Sequence, residues 1–302
     1  MDWIARLARA RAVHLVALGA AVWMGLVAIP PAQAGDPVLV GAGDIAGCAT
    51  AADSATAALV ARTPGTVFTL GDNAYETGTM KQFTGCYGPT WGRAKGRTRP
   101  AVGNHDYGTA GALPYFSYFG SAAGPRGKGW YSYNAGAWHV VVLNANCDQV
   151  GCGPGSPQEK WLKADLAAHP AQCTLAYWHQ ARFVSDSTHG STPQVGPFWN
   201  DLYQAGADLV LSAHAHVYER FAPQTPAGKA DPAHGIREIV VGTGGESHYS
   251  FGNVLPNSQA RNANTFGVLK LTLHSKSYDW RFLPAGGKGF SDSGTAGCHG
   301  HP

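Results

Sequence analysis

Short apolar runs alternate with helix-like segments along most of the chain. The apolar runs have the length of buried strands and lie at 38–40, 67–70, 138–143, 174–178, 209–212, 236–241, 268–273 and 278–282. The segments with helical signals lie at 54–62, 157–168 and 195–204. The last two strand-like runs are close enough in sequence to form a hairpin. This alternation predicts a single α/β domain over residues 35–302.

Local signals refine the ends of these elements. Asp53 is predicted to cap the first helix, and Pro64-Gly65 ends it. Ser156-Pro157 opens the second helix, because proline is favoured in the first helical turn. Residues 109–128 are rich in glycine and aromatic residues, and we predict a long loop there.

Polar residues follow several of the predicted strands. Asp44, Asp72, Asn104, His179 and His214 each close a strand-like run. Taken singly, an Asp after Gly is typical of a turn, and a lone His is typical of a hydrogen-bonded core or surface residue. Ligands of open α/β sheets bind beyond the carboxyl ends of the strands, where these residues would meet. Their oxygen and nitrogen atoms suit iron, zinc or manganese, so the pattern predicts a metal site.

Five sequence blocks around these residues resemble the calcineurin-like metallophosphoesterases and, among them, the purple acid phosphatases. In chain order the blocks are Gly43-Asp44-Ile45-Ala46, Gly71-Asp72-Asn73-Ala74-Tyr75, Gly103-Asn104-His105-Asp106, Ala176-Tyr177-Trp178-His179 and Ala213-His214-Ala215-His216. The resemblance implies the metallophosphoesterase fold, an αββα sandwich of two mixed β-sheets flanked by helices. It also implies a two-metal site at the strand ends.

The resemblance further implies individual metal ligands. Asp72 would bridge the two ions. The ligands completing the iron(III) site would be Asp44, Tyr75 and His216, and those completing a divalent iron, zinc or manganese site would be Asn104, His179 and His214. Tyr75 is the most discriminating residue, because a phenolate favours a hard trivalent ion; the alternative is an aromatic that only packs nearby. The spacing of His214 and His216 agrees with these roles, because residues that are two positions apart in extended backbone project from the same side of the chain.

Four further residues are candidates for a role in catalysis or in substrate binding. His105 would bind phosphate or protonate the leaving group, and Asp106 would either orient His105 or cap a turn. His189 would contact substrate or be a solvated loop residue. Arg182 is a further candidate for binding phosphate.

The implied activity is hydrolysis of phosphate esters, most simply phosphomonoesters. Two cations would activate hydroxide for in-line attack and neutralise the charge that develops on the phosphoryl group. One alternative is a phosphodiesterase that uses the same site. A non-catalytic exported binding protein is a second alternative, but it predicts missing ligands, and none of the seven is missing.

Composition narrows the class of protein. The 302 residues carry a formal net charge of +3, and 44% are hydrophobic, which excludes disorder for the bulk of the chain. No basic stripe of the kind used by nucleic-acid-binding proteins is evident. The expected partner is therefore a phosphate-ester substrate.

The first 34 residues predict a signal peptide. Three arginines precede an apolar run at 15–29, and Ala32-Gln33-Ala34 has the small-x-small pattern of a cleavage site. The alternative is an uncleaved membrane anchor, but the run is shorter than the ~20 residues that a spanning helix needs. No later apolar stretch is long enough to span a membrane. We therefore expect a secreted or periplasmic protein.

Six cysteines follow residue 34. An even number of cysteines is typical of exported proteins, because disulfides form in their compartments. Their spacing leaves the overall connectivity open. Cys147 and Cys152 flank a short turn, and we predict that they form a small disulfide loop.

Overall fold

Residues 35–287 and 289–300 are described by a computed structural model. The predicted signal peptide at 1–34 lies outside the described residues. Among the residues described, no helix is both long and apolar enough to cross a bilayer.

Two mixed β-sheets form the centre of the fold. The strands are β1 (Val38–Ala42), β2 (Thr66–Leu70), β3 (Thr98–Ala101), β4 (Tyr131–Ala135), β5 (Trp138–Val142), β6 (Cys173–Gln180), β7 (Leu209–Ala213), β8 (Tyr218–Phe221), β9 (Arg237–Val241), β10 (Ser258–Asn262), β11 (Gly267–Leu273), β12 (Ser277–Pro284) and β13 (Ser293–Gly297). The six-stranded sheet has the order β13-β12-β11-β1-β2-β3, and the seven-stranded sheet has the order β10-β8-β9-β7-β6-β5-β4. Strands β1, β2 and β3 are parallel, as are β5, β6, β7 and β9, and the outer strands pair antiparallel.

Helices cover the outer faces of these sheets. The α-helices are α1 (Ala52–Arg62), α2 (Met80–Gln82), α3 (Leu113–Phe119), α4 (Cys147–Val150), α5 (Pro157–Ala168) and α6 (Gly196–Gln204). Alternate residues of β5 show the layering: Val140 joins the core between the sheets, and Val141 joins a second core with Leu162 of α5 and Trp199 of α6. Every residue of β5 is buried because both faces of its sheet are covered. This is the predicted αββα sandwich.

The sequence predictions for helix ends and loops were partly wrong. Helix α5 begins as expected, with the Ser156 hydroxyl accepting from the Glu159 N–H at 3.2 Å. Asp53, however, does not cap α1; it lies in the first turn and accepts a hydrogen bond from the Thr90 hydroxyl at 2.9 Å. The predicted loop at 109–128 contains α3, which forms because its aromatic side chains are buried in the core.

Three disulfides join all six cysteines. The predicted Cys147–Cys152 pair is confirmed, and the others are Cys48–Cys86 and Cys173–Cys298. The last bond joins β6 to the residue after β13, 125 positions later. Its long loop makes this the bond that most restricts the unfolded chain.

Candidate metal centre

The carboxyl ends of the parallel strands of both sheets meet at one place. Asp44 and Asp72 follow β1 and β2, and His214 follows β7. All three have positive φ angles, of 58°, 49° and 70°, which are uncommon for residues other than glycine. The chain therefore turns sharply after each strand, and the two carboxylates are buried at the turns, with 0% and 1% exposure.

Tyr75 joins the two carboxylates on one side of this cluster. Its hydroxyl lies 2.8 Å from Asp44 Oδ1 and 3.1 Å from Asp72 Oδ2. The same hydroxyl is 3.2 Å from His216 Nε2, which lies 3.3 Å from Asp44 Oδ1. The Tyr75 hydroxyl thus lies within hydrogen-bonding distance of atoms from three other predicted ligands.

Asp72 also takes part in the second predicted set. His179 Nε2 lies 3.1 Å from Asp72 Oδ2 and 3.2 Å from His214 Nδ1. Asn104 Oδ1 is buried without a hydrogen-bond partner among the described residues. A single oxygen, Asp72 Oδ2, therefore contacts a member of each set, as a bridging ligand must.

Groups around the cluster hold the imidazoles in place. His179 Nδ1 lies 2.7 Å from the Leu70 carbonyl oxygen, to which it donates, so in the neutral imidazole the lone pair is on Nε2. His216 Nδ1 contacts the Ser247 hydroxyl at 2.6 Å, and its ring stacks on Tyr249 at 4.1 Å. Ser247 and Tyr249 were missed from the sequence. The available signal was the polar run that follows the strand predicted at 236–241.

Two glycines give the carboxylates the space they occupy. A Cβ atom on Gly103 would lie 2.1 Å from Asp72 Oδ1, and one on Gly242 would lie 2.6 Å from Asp44 Oδ2. Any larger residue would displace a carboxylate.

Burial and neighbouring charges strongly perturb the protonation of the cluster. Burial opposes ionisation of Asp44, but the charge and hydrogen bond of His216 lower its pKa below the ordinary range. Burial likewise opposes a charge on His179, but Asp72 raises its pKa to about 9. Burial and the charge of His179 lower the pKa of His214 to about 3. Burial raises the pKa of Tyr75 well above its usual value, and both carboxylates add to that effect.

The donor set fits a pair of hard or borderline cations. Two buried carboxylates, a phenol and imidazole nitrogens converge, and the Asn104 side-chain oxygen has no hydrogen-bond partner among the described residues. All six cysteines form disulfides, so no thiolate is available. Oxygen and nitrogen donors of this kind suit iron, zinc and manganese.

The structure brings two of the four further candidates, His105 and His189, to the cluster. The His105 ring lies against Tyr75, with a 4.4 Å centroid separation, and its Nδ1 is 2.6 Å from the Glu76 carbonyl oxygen. His189 stacks on His214 at 4.0 Å. Both imidazoles therefore flank the predicted ligands.

The other two candidates are directed elsewhere. Asp106 accepts from the Gly103 N–H and from the Asn73 side-chain amide, each at 2.9 Å, so it organises a turn and does not bond the His105 ring. Burial, followed by the charge of Asp72, raises the pKa of Asp106 to about 7. Arg182 donates from Nη2 to the Pro226 carbonyl oxygen at 3.2 Å, and its guanidinium covers the Phe183 ring. These Arg182 contacts involve none of the predicted metal ligands.

Comparisons with known proteins identify the family of this chain. The family model for calcineurin-like phosphoesterases matches residues 38–218. Purple acid phosphatase 15 of Arabidopsis thaliana is 31% identical over 135 residues, and acid phosphatase A of Cryphonectria parasitica is 26% identical over 174 residues. These matches cover 43% and 49% of this chain but only 24% and 34% of the relatives, so the chain spans a small part of their length.

Solved structures share the fold at low sequence identity. A purple acid phosphatase from yellow lupin seeds superposes with a TM-score of 0.74 and 19% identity, covering 88% of this chain and 55% of the lupin protein. GAP50, the anchor in the inner membrane complex of Plasmodium, superposes with a TM-score of 0.65 and 14% identity, covering 89% and 90% of the two chains.

Proposed function

The chain belongs to the calcineurin-like phosphoesterase family, and we propose that it is an exported, binuclear-metal phosphatase that hydrolyses phosphomonoesters. The observation that carries this proposal is the position of Asp72 Oδ2, 3.1 Å from Tyr75 on one side and 3.1 Å from His179 on the other. Similarity to acid phosphatases supports the reaction class. Three disulfides agree with export, which the predicted signal peptide at 1–34 would direct.

Two ligand sets would hold the cations. The set proposed for iron(III) is Asp44, Asp72, Tyr75 and His216, and the set proposed for divalent iron, zinc or manganese is Asp72, Asn104, His179 and His214. When bound, the pair supplies Lewis acidity: it polarises the phosphate ester and makes water acidic enough to lose a proton near neutral pH.

The protein's own groups prepare this site before substrate arrives. The carbonyl oxygen of Leu70 and the hydroxyl of Ser247 fix the ring orientations of His179 and His216, so their Nε2 atoms face the centre. Burial of the carboxylates excludes water that would otherwise solvate them. The result is a site whose polar groups need little reorganisation during reaction.

His105 is the residue proposed to handle the proton of the leaving group. Its Nδ1 donates to the Glu76 carbonyl oxygen, which leaves Nε2 to accept or donate a proton. The side chain is 34% exposed, and Nε2 lies 4.0 Å from Asp72 Oδ2. His105 can therefore reach a phosphate ester at the edge of the cluster and protonate its departing oxygen.

The variant Asp72→Asn tests this proposal. Losing the shared carboxylate should lower kcat/KM for p-nitrophenyl phosphate by more than about 100-fold, because disturbing even the groups behind a ligand costs 10–100-fold. Asp165→Asn is the matched control, a buried carboxylate bound to His139 at 2.8 Å in a separate cluster. Unchanged turnover in Asp72→Asn would refute the proposed function.

The iron assignment has its own test in Tyr75→Phe. Tyrosinate bound to iron(III) absorbs visible light, so the native protein should be coloured and the variant colourless. Metal analysis that finds two zinc ions in a colourless, active native protein would overturn the iron assignment alone.

A further inference from the structure

A cavity of about 510 Å³ opens beside the metal centre. Asn104, His189 and His214 line it together with Gln180 and residues of three segments, 107–108, 145–149 and 191–194. The volume is in the range of sites that hold small organic ligands. The cavity therefore has room for more than the phosphate group of a substrate.

The walls of this cavity are held by bonds within the protein. The Asn146 amide connects two walls: its Oδ1 accepts from Gln180 Nε2 at 3.2 Å, and its Nδ2 donates to the Val102 carbonyl oxygen at 3.2 Å. The Cys147–Cys152 disulfide closes the segment that carries Asp148. A ligand thus meets a preformed surface and does not have to order one.

The charge of the lining is unusual for a site expected to bind an anion. Asp148, which is exposed, is the single carboxylate among the described lining residues, and they include no Lys or Arg. Arg182, the basic residue predicted to bind phosphate, is directed to Pro226 instead. Away from the cations, an anionic group in the cavity would have no Lys or Arg to neutralise it.

The lining also offers an unused hydrogen-bond acceptor. The Gln180 side-chain amide donates through Nε2 to Asn146. Its oxygen, Oε1, is buried and receives no hydrogen bond from any described residue. Because Gln180 lines the cavity, a rotation of its side chain would turn this oxygen toward a hydroxyl or ammonium group of a ligand. The negative charge of Asp148 and the free oxygen of Gln180 both favour ligands that carry hydrogen-bond donors.

We propose that this cavity binds the alcohol portion of the phosphate ester and selects polar alcohols that are neutral or cationic over anionic ones. The inference rests on the proposed function, which places the phosphate group at the adjoining metal centre. Asp148 is the residue that sets the preference for a cationic alcohol such as an amino alcohol. Because Asp148 is exposed, its effect on the dissociation constant should be about two- to five-fold.

Two phosphonates of similar length test this preference without turnover. 2-Aminoethylphosphonate ends in an ammonium group and 3-phosphonopropionate ends in a carboxylate, and neither contains an ester bond. We expect Asp148→Asn to reduce the preference for the ammonium compound by about two- to five-fold in calorimetric titrations of the metal-loaded protein, and Asp148→Lys to reduce it further. The attraction of the cations for either compound is common to all variants, so the ratio of dissociation constants isolates Asp148.

Asp36→Asn is the matched control, because Asp36 is an exposed carboxylate that pairs with His274 and does not line the cavity. It should leave the ratio unchanged. A ratio that is the same in wild type, Asp148→Asn and Asp148→Lys would overturn the inference, and so would failure of both phosphonates to bind. Hydrolysis of p-nitrophenyl phosphate is measured in parallel. Absence of this hydrolysis would refute the proposed function, whereas the ratio of the two phosphonate dissociation constants tests the selectivity of the cavity.

Discussion

Binding of zinc should stabilise the folded protein strongly, and Asp72→Asn should remove most of that stabilisation. Asp44 and Asp72 are buried side by side with the Tyr75 hydroxyl between them. Buried carboxylates are costly unless they are paired or bind a metal. A cation that binds this cluster binds the folded state and not the unfolded chain, which has no such cluster.

The size of the effect follows from the number of sites. A cation at 100 times its dissociation constant stabilises the folded state by about 2.7 kcal/mol, so two cations contribute about 5 kcal/mol. For a chain of this size each kcal/mol raises the melting temperature by about 2 °C, so about 5 kcal/mol gives a shift of about 10 °C. Because Asp72 Oδ2 contacts members of both ligand sets, its loss weakens both sites.

Thermal melts followed by circular dichroism measure this effect without substrate. Chelator-treated protein is compared with the same protein after addition of zinc, for wild type, Asp72→Asn and Asp165→Asn. Asp165 is the control because it lies 2.8 Å from His139 and 3.4 Å from His169, in another group of potential ligands. We expect Asp165→Asn to keep the full shift. A shift retained in Asp72→Asn, or lost in Asp165→Asn, would refute the reasoning.

Two further predictions concern the supports of the site. In Gly242→Ala, the new Cβ would lie 2.0 Å from a main-chain carbonyl oxygen and 2.6 Å from Asp44 Oδ2. We expect about 1–3 kcal/mol lower stability in guanidinium unfolding and weaker zinc binding. Gly85→Ala, whose new Cβ meets no atom within 4 Å, should lower neither stability nor zinc affinity, because alanine is favoured over glycine in a helical turn; an equal loss of stability in both variants would contradict the clash. Replacing Cys173 and Cys298 by serine should lower the free energy of unfolding by about 5 kcal/mol, because the disulfide closes a loop of 125 residues. Denaturant unfolding measures this loss of stability, and a loss below about 1 kcal/mol would contradict the prediction.

The class of fold and the identity of the clustered residues could be predicted from the amino-acid sequence. The hydrophobic patterns of strands and helices are local, so they can be recognised in the sequence alone. The carboxyl ends of parallel strands lie at one edge of a sheet. One or two residues after such strand ends come Asp44, Asp72 and His214. The clustering of the predicted ligands follows from that rule.

The contacts of each polar side chain depend on how the chain packs in three dimensions. Arg182 and Asp106 have the right chemistry and the right positions in sequence, yet they are directed to Pro226 and to the turn at Gly103. Helix α3 forms because its aromatic residues reach the core, which no local pattern indicated. Strand β1 pairs with β11 across more than two hundred positions, and Cys173 pairs with Cys298. Local patterns carry no information about such distant partners, because the choice depends on how the whole chain packs.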